Sequence, residues 1–365
     1  MKKIFLVAPL SSGHLQKWLL PFANDYEFIF FTLHPHDLPD EFKNCKVFKF
    51  PRLTGTKFDF ILSIPYLQFA IIKSKPSLIY ASFLSSYGLI TALAFSRCRK
   101  ILSTWGTDVN GKPQQSYFFA LIIKMLITKF EWINAPADHI KNKLIQLGAK
   151  DDKIEVFQYG IDFSSYKLKE NNVKDVTDDI VRFISIRNWD ALYNIKNIIS
   201  AYSHFCQKQL MKTELNILGK GNSKQHEEIL SLVSRLNFKL GKVNVVGFVN
   251  KDELVEHLFR NDVVVSVPSM DGTPLSLLES MYVGLIPIVS KIDANNEWVN
   301  PKFGFFADPS SIENLSESLS SAFECVVNNQ HHEMIKENRL KVKLSSDYHA
   351  NTNRLNDVFK DMINK

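Results

Sequence analysis

Two acidic side chains, Asp271 and Glu279, follow the apolar run 263–267 and are eight residues apart. This spacing would place one carboxylate on a loop and the other two turns into the helix that follows. Main-chain amides at a helix N-terminus and in a glycine-containing turn bind anions, and carboxylates suit the hydroxyl groups of a sugar. The segment therefore predicts a diphosphate and sugar site that needs no metal, with further contacts from Gly272, Thr273, Pro274, Leu275 and Ser276.

The same spacing also has a purely structural interpretation. Asp271 would then cap the N-terminus of the helix, and Glu279 would be a solvent-exposed helix residue. The spacing alone favours this second interpretation, so a functional assignment depends on the rest of the chain.

Short apolar runs alternate with helical stretches, which is typical of a parallel sheet covered by helices. The first series of predicted strands is Ile4 to Ala8, Phe28 to Thr32, Lys46 to Phe50, Leu78 to Ala81, Lys100 to Thr104, Trp132 to Ala135 and Val156 to Tyr159. The second series is Val181 to Ile186, Glu214 to Leu218, Val243 to Val246, Asp262 to Val267 and Ile286 to Val289.

These two series predict two doubly wound α/β domains, residues 1–165 and 166–346, joined through the polar stretch 167–179. An amphipathic helix is expected over 347–365, packing back on the first domain. Ligands of such sheets bind at the carboxyl ends of the strands, so we expect the site in a cleft between the domains.

Composition narrows the classes of protein that the chain can belong to. Hydrophobic residues make up 45% and charged residues 22%, values typical of soluble globular proteins. Four separated cysteines without a Cys-x-x-Cys pair argue against a zinc or disulfide framework and favour a reducing cytoplasm. No run approaches the ~20 apolar residues of a membrane span.

The positive charge is concentrated in the first predicted domain. Residues 1–165 carry 20 Lys and Arg against 13 Asp and Glu, whereas the remainder is nearly balanced. Such a surplus suits anionic headgroups or a phosphate-bearing acceptor; scattered solvated lysines are the alternative.

The run Ser269-Met-Asp-Gly-Thr-Pro-Leu-Ser-Leu-Leu-Glu279, continued by Gly284 and Pro287, resembles the donor-site signature of GT-B glycosyltransferases of family 4, which has a Glu-x7-Glu pattern. The resemblance covers nearly the whole chain. It implies a GT-B fold, in which two Rossmann-like doubly wound domains face each other across a cleft. It also implies that Asp271 lies near the donor sugar hydroxyls, on a shorter arm than Glu, and that Glu279 binds the nucleotide ribose.

Further segments follow the order of that family, including Gln158 to Asp162, Leu218 to Gly221 and Val246 to Val249. By resemblance, Phe248 and Val249 lie along the nucleobase, and the turn that contains Gly219 and Lys220 approaches the nucleotide.

The family neutralises the departing diphosphate with an Arg and a Lys that follow the first strand of the second domain. Arg187 fits the first position. The usual Lys position falls on Tyr193, and Lys196 lies one turn further on. We therefore predict that Lys196 supplies the second cation, with Lys220 and Lys291 as alternatives. Tyr193 would donate one hydrogen bond to a phosphate oxygen but brings no full charge.

In the first domain the resemblance points to a glycine loop with Gly13 and His14 after the first strand, near the diphosphate and acceptor. A His there would act on an acceptor hydroxyl, or pack or cap a helix. Trp105 stands where the family often has a His, so no histidine role is inherited at that position. Asp108 either contacts a sugar or caps the turn before Gly111.

The resemblance implies a retaining glycosyltransferase without cofactor or metal. Its donor would be a nucleotide-sugar, by default a UDP-sugar. Its acceptor would be an undecaprenyl diphosphate-linked saccharide of bacterial O-antigen, lipopolysaccharide or capsule assembly, on the inner face of the plasma membrane. Two alternatives are a nucleotide-sugar epimerase and a non-catalytic nucleotide-sugar sensor. A nucleic acid is not an expected partner, because the basic residues form no recognisable motif.

Two further patterns have competing interpretations. The stretch Lys112 to Phe130 would lie in a membrane interface, although a buried helix is the stronger alternative. Histidines lie close together at positions 34 and 36 and at positions 331 and 332. No Asp, Glu or Cys nearby would complete a set of metal ligands, so we predict no metal site.

Overall fold

Residues 1–111, 116–169 and 180–364 are described by the computed structural model of the chain. Most of the predicted linker and the beginning of the stretch 112–130 lie outside the described residues. The chain forms two compact units, Met1–Gly160 with Tyr348–Lys365, and Ile161–Asp347.

The first unit contains a parallel sheet of seven strands in the order β3-β2-β1-β4-β5-β6-β7. The strands are β1 Lys2–Val7, β2 Tyr26–Thr32, β3 Lys46–Lys49, β4 Leu78–Ser82, β5 Arg99–Ser103, β6 Trp132–Ala135 and β7 Ile154–Val156. Most of them are buried on both faces, which explains why they consist of continuous apolar runs. The last strand ends at Val156, earlier than the run 156–159 predicts.

Helices cover both faces of this sheet. They are α1 Gly13–Leu19, α2 Phe58–Leu62, α3 Ile64–Ser74, α4 Leu89–Leu93, α5 Thr107–Asn110, α6 Tyr117–Leu126, α7 Asp138–Gln146 and, from the end of the chain, α15 Tyr348–Asn364. Ile4, Leu6 and Phe28 pack with α1 and α15. Phe5 and Val7 point to the opposite face and pack with α3, as successive side chains of a strand must.

The second unit contains a parallel sheet of six strands in the order β10-β9-β8-β11-β12-β13. The strands are β8 Val181–Ile186, β9 Thr213–Leu218, β10 Gly241–Gly247, β11 Val263–Ser266, β12 Ile286–Ser290 and β13 Phe305–Ala307. The helices are α8 Ile195–Lys208, α9 Ser223–Arg235, α10 Lys251–Arg260, α11 Leu275–Val283, α12 Asp293–Trp298, α13 Ile312–Val327 and α14 His332–Ser345. The short edge strand β13 is missing from the sequence-based prediction.

The boundary of the first unit lies at Gly160, before the expected position at 165 and 166. The reason is local packing: Ile161 pairs with Asp347 in an isolated parallel bridge, and Tyr166 is buried in the core of the second unit. Within the described ranges, no helix has the length and hydropathy needed to cross a bilayer.

Candidate functional site

An ion pair with little exposure to solvent joins the end of β8 to the loop before α11. The Nη2 atom of Arg187 lies 2.6 Å from Oδ2 of Asp271, and its Nη1 atom donates to Oγ of Ser276 at 3.1 Å. The two charged side chains are 9% and 14% exposed. The amide of Gly272 donates to the second carboxylate oxygen of Asp271 at 2.8 Å. Four residues predicted from the sequence therefore meet in one cluster.

Tyr193 completes this cluster without bringing a charge. The guanidinium carbon of Arg187 lies 4.3 Å from the centroid of the Tyr193 ring. An arginine stacked on an aromatic face is stabilised by the ring quadrupole. At the position where the resemblance predicts a second cation, this chain thus has a ring that supports the first one.

The backbone next to Arg187 is fixed by a close contact that needs glycine. Gly219, directly after β9, has φ of +124°, and a Cβ atom added there would lie 2.1 Å from the carbonyl oxygen of Arg187. The amide of the next residue, Lys220, donates to Oδ1 of Asn188 at 3.2 Å. The Gly219 to Lys220 turn therefore sets the position of the main chain that carries Arg187.

The N-terminus of α11 lies at the same cluster. Its N-cap residue is Pro274, which makes no side-chain capping bond. Leu275 is the first helical residue, and its amide donates to the carbonyl of Thr273 at 3.0 Å. The positive end of a helix and an arginine at the same place favour a bound anion.

Glu279 lies further along α11 and has two partners that the sequence analysis does not include. Its Oε1 atom lies 3.0 Å from Nζ of Lys251 and accepts a hydrogen bond from the hydroxyl of Tyr166. The ammonium of Lys251 also lies 3.9 Å from the centre of the Tyr166 ring. Lys251 follows Phe248 and Val249 closely in the chain, and this position is the one feature of the sequence that points to Lys251 as a site residue. No feature of the sequence points to Tyr166.

The segment assigned to the nucleobase follows β10. Phe248 is 76% exposed, which is unusual for a phenylalanine. Val249 packs against the core that contains α11. An exposed ring beside an anchored valine has the form of a surface on which a flat base can stack.

Lys196 is placed apart from the Arg187 cluster. Its ammonium forms an ion pair with Glu228 of α9. This hydrogen bond and the charge of Lys196 lower the pKa of the Glu228 carboxyl. The structure therefore does not bring Lys196 to Asp271, because an acidic side chain on the neighbouring helix holds it elsewhere.

In the first unit, Gly13 begins α1, and Oγ of Ser12 caps that helix by accepting from the amide of Leu15 at 3.4 Å. A Cβ atom added at Gly13 would meet no atom within 4 Å, so the space beside it is open. The side chain of His14 lies outside the described part of the structure. Trp105 stacks on Phe83 with ring centroids 5.7 Å apart.

Asp108 has the geometry of a structural carboxylate. It is 5% exposed and accepts hydrogen bonds from the amide of Leu84 at 2.6 Å and from that of Trp105 at 2.9 Å. Burial raises the pKa of this carboxyl, and the amide hydrogen bonds oppose the rise. Of the two interpretations from the sequence, the capping one describes these contacts; contact with a sugar stays a prediction.

The histidines that lie close together in sequence, such as His34 and His331, contact a hydroxyl group and a main-chain carbonyl. Nδ1 of His34 lies 2.8 Å from the hydroxyl of Tyr87, and burial lowers the pKa of its imidazole. In the part of the chain that the structure describes, no three His, Cys, Asp or Glu side chains converge as metal ligands would.

Comparisons with known proteins cover both units. The family described as "Glycosyl transferases group 1" matches residues 167–341, and the family described as "Glycosyl transferase 4-like" matches residues 3–135. No curated protein sequence matches the chain.

Solved structures share the fold over the full length. HepE from Anabaena, in complex with UDP and glucose, is 14% identical with a TM-score of 0.73, over 99% of this chain and 100% of HepE. A glycosyltransferase from Rickettsia africae is 13% identical with a TM-score of 0.77, over 100% and 99%. The lipopolysaccharide outer core galactosyltransferase WaaB is 15% identical with a TM-score of 0.72, over 99% and 100%. Together, the family matches in both units and the shared fold show that the chain is a GT-B glycosyltransferase, with a glycosyl transferase 4-like first unit and a group 1 second unit.

Proposed function

We propose that the enzyme transfers a sugar, with retention of configuration and without a metal, from a UDP-sugar to an undecaprenyl diphosphate-linked saccharide. The observation that carries this proposal is the Arg187 cation at the start of α11, held by Asp271 and Ser276. A buried cation beside a helix N-terminus is suited to stabilise the charge of a departing diphosphate.

The donor diphosphate would bind where Arg187 and α11 meet. A guanidinium has five N–H donors, and the contacts to Asp271 and Ser276 engage Nη1 and Nη2. Further donors of Arg187, together with the amides at the helix start, would bind the phosphate oxygens. Asp271 already balances the charge of Arg187, so its carboxylate would weaken the attraction between Arg187 and the diphosphate. The same carboxylate would accept hydrogen bonds from the hydroxyl groups of the donor sugar and so orient the sugar.

The nucleoside would lie against Glu279 and the segment after β10. Tyr166 and Lys251 both contact the same carboxylate oxygen of Glu279 and hold the side chain in place. The second carboxylate oxygen would accept hydrogen bonds from the ribose hydroxyls. The exposed ring of Phe248 would stack on the base. The complex of HepE with UDP and glucose supports the choice of a uridine nucleotide.

The transfer step would proceed on one face of the donor sugar. The bond from the anomeric carbon to the β-phosphate oxygen breaks, and the acceptor hydroxyl oxygen forms its bond on the same face. The acceptor proton passes to the departing diphosphate, whose negative charge Arg187 and the α11 amides stabilise. The resemblance to family 4 supports retention.

The acceptor side is assigned to the first unit. Its basic surplus suits an acceptor that carries a diphosphate. In this proposal Gly13 lies near the diphosphate and the acceptor, His14 acts on an acceptor hydroxyl, and Asp108 contacts a sugar, as the resemblance implies. The likeness to WaaB, a lipopolysaccharide outer core galactosyltransferase, supports an acceptor of surface polysaccharide assembly.

The test combines purified enzyme with a panel of UDP- and GDP-sugars, a detergent-dispersed lipid diphosphate-linked saccharide and a chelator. Release of nucleoside diphosphate and formation of lipid-linked product are measured together, and the anomeric configuration is read by NMR. Arg187→Ala should reduce transfer at least about a hundredfold. Lys224→Ala, a charge removed from a side chain that is 85% exposed, serves as the matched control.

Each result distinguishes the alternatives. Product formed despite the chelator and lost in Arg187→Ala supports the proposal. An inverted anomer contradicts retention, and dependence on added metal contradicts the metal-independent site. Donor isomerisation without acceptor would indicate an epimerase, and donor binding without either reaction would indicate a sensor.

A further inference from the structure

One stretch of the first unit lacks exposed negative charge. Residues 51–130 contain ten Lys and Arg, two Asp and no Glu. The two acidic residues, Asp59 and Asp108, are 0% and 5% exposed. The surface that this stretch forms therefore carries positive charge alone.

The stretch supplies three neighbouring helices on one face of the sheet. The inner side chains of α3, such as Leu67 and Ile71, pack on β1 and β2, and those of α6, such as Ile123, pack on β5 and β6. Gln68 of α3 exchanges two hydrogen bonds with the main chain of Phe95, just after α4, at 2.7 and 2.9 Å. Helix α4 in turn packs against α6. We name the outer side of these elements the α3–α6 face.

Large apolar side chains project from the α3–α6 face. Phe118 is 72% exposed, Met125 60%, Phe95 75% and Ile72 64%. The others are Phe69, Leu93, Tyr117 and Leu121. A monomeric protein seldom exposes so many aromatic and aliphatic side chains together unless the surface binds something.

Basic side chains lie between these apolar ones. Lys73 places its ammonium 5.4 Å from the centre of the Phe69 ring. Arg97 follows Phe95 by two residues, and Lys124 precedes Met125; both are exposed. Long basic side chains around exposed rings match the headgroup region of a bilayer, where the charges meet anionic lipids and the rings reach the acyl boundary.

We propose that the α3–α6 face docks the enzyme on a bilayer that contains anionic phospholipid. Charge complementarity selects this occupant, because a second copy of the same face would bring like charges together in a low-dielectric contact. The proposal deepens the proposed function, since it supplies the surface on which a lipid-linked acceptor would be reached. Docking itself needs neither donor nor acceptor and can be measured alone.

The experiment is co-sedimentation of the full chain with vesicles of phosphatidylglycerol and phosphatidylcholine, compared with vesicles of phosphatidylcholine alone. Each positive charge near an anionic surface contributes about a fivefold factor in partitioning. The triple variant Lys73→Glu, Arg97→Glu and Lys124→Glu should therefore partition at least about a hundredfold less. A second variant, Phe95→Ser, Phe118→Ser and Met125→Ser, should lose at least about tenfold while retaining the charges.

Matched controls come from the second unit. Leu210 and Leu344 are 91% and 78% exposed, so Leu210→Ser with Leu344→Ser removes exposed apolar side chains elsewhere. Lys224→Glu is the charge control, and its side chain is 85% exposed. All variants are first checked for an unchanged urea midpoint, so that loss of binding is not loss of fold.

Binding to anionic vesicles that falls in both triple variants and stays in the controls supports the proposal. Equal binding of wild type and triple variants overturns it, as does absence of binding to anionic vesicles at low salt. A concentration-dependent dimer in sedimentation velocity that the apolar triple variant abolishes also overturns it in favour of self-association. Transfer to a detergent-dispersed acceptor is measured alongside: if transfer fails and vesicle binding holds, the proposed function is refuted and the docking surface stands.

Discussion

The pair of Arg187 and Asp271 offers the sharpest test of the site, because its two side chains are only 9% and 14% exposed. Asp271→Asn removes the negative charge but keeps the shape of the side chain and the oxygen that accepts from Gly272. Arg187, whose side chain is 9% exposed, would then keep Ser276 and the Tyr193 ring as partners but would lose the negative charge of Asp271.

The expected size follows from the geometry. Two unit charges ~4 Å apart attract each other by about 4 kcal/mol at an effective dielectric constant of ~20. Part of this is offset, because the variant no longer has to desolvate a carboxylate. We therefore expect Asp271→Asn to lower the free energy of unfolding of the second unit by about 3 kcal/mol.

A double-mutant cycle with Asp271→Asn, Arg187→Met and the double variant isolates the interaction. Unfolding by urea is followed through hydrogen exchange of β8 and β11, which reports on the second unit separately from the first. We expect a coupling energy of about 2 kcal/mol. It should change little at about 0.5 M NaCl, since buried pairs are weakly screened.

An exposed pair provides the control. Lys3 and Glu27 lie 3.6 Å apart with side chains 41% and 49% exposed, and their coupling energy should be below about 1 kcal/mol. If the Arg187 and Asp271 pair gives no more than this control, or disappears in salt, the reasoning from burial is wrong.

Three further predictions concern single residues. Glu279→Gln should raise the donor KM about tenfold with a smaller change in kcat, measured by steady-state kinetics, because a neutral amide replaces a charged hydrogen-bond partner remote from the reacting bond. Lys196→Ala should keep kcat/KM within about threefold of wild type, because its ammonium is bound to Glu228. Asp108 has a pKa raised above its ordinary value of 3.8 by burial, so the folded chain holds this proton more tightly than the unfolded chain. The stability of wild type relative to Asp108→Asn should therefore be greatest below the ordinary pKa and be lost as the pH rises through the folded one, measured by urea unfolding between about pH 3.5 and about pH 7.

Each of these has a result that would contradict it. An unchanged KM in Glu279→Gln would contradict the ribose role of Glu279, and a loss of about a hundredfold in Lys196→Ala would support Lys196 as a second phosphate cation. A stability difference for Asp108 that grows with pH would mean that the folded state favours the carboxylate. Tyr66→Phe controls for nonspecific effects of substitution, because the ring of Tyr66 contacts other aromatic rings of the first unit, namely Phe31, Phe48, Phe50 and Phe69.

The sequence predicts the strands well where they are long and apolar, because buried strands of parallel sheets need no alternation with polar residues. The three-residue strand β13, Phe305–Ala307, is too short to produce such a signal. The local spacing after a predicted strand points to Asp271, and the resemblance to family 4 points to Arg187. The fold brings them together from 84 residues apart, which a local pattern cannot show.

The contacts of Glu279 show more clearly what a local sequence pattern cannot predict. Tyr166 is 113 residues away in sequence and Lys251 is 28 residues away, and no spacing rule relates three such positions. Lys196 shows the same effect: counting along the helix locates its Cα atom, but Glu228 on a different helix decides where the ammonium lies. Its role as a second phosphate cation stays a prediction.

The first unit is discontinuous in the chain, since α15 returns to it after the whole of the second unit. Phe359 is 0% exposed and packs edge-on against Phe22, Tyr26 and Tyr80. Domains generally fold in order as the ribosome delivers them, but this core lacks its central ring until Phe359 has been made. The second unit therefore has all its residues before the first does, and a chain truncated before Phe359 would leave Phe22, Tyr26 and Tyr80 without the ring that packs against all three.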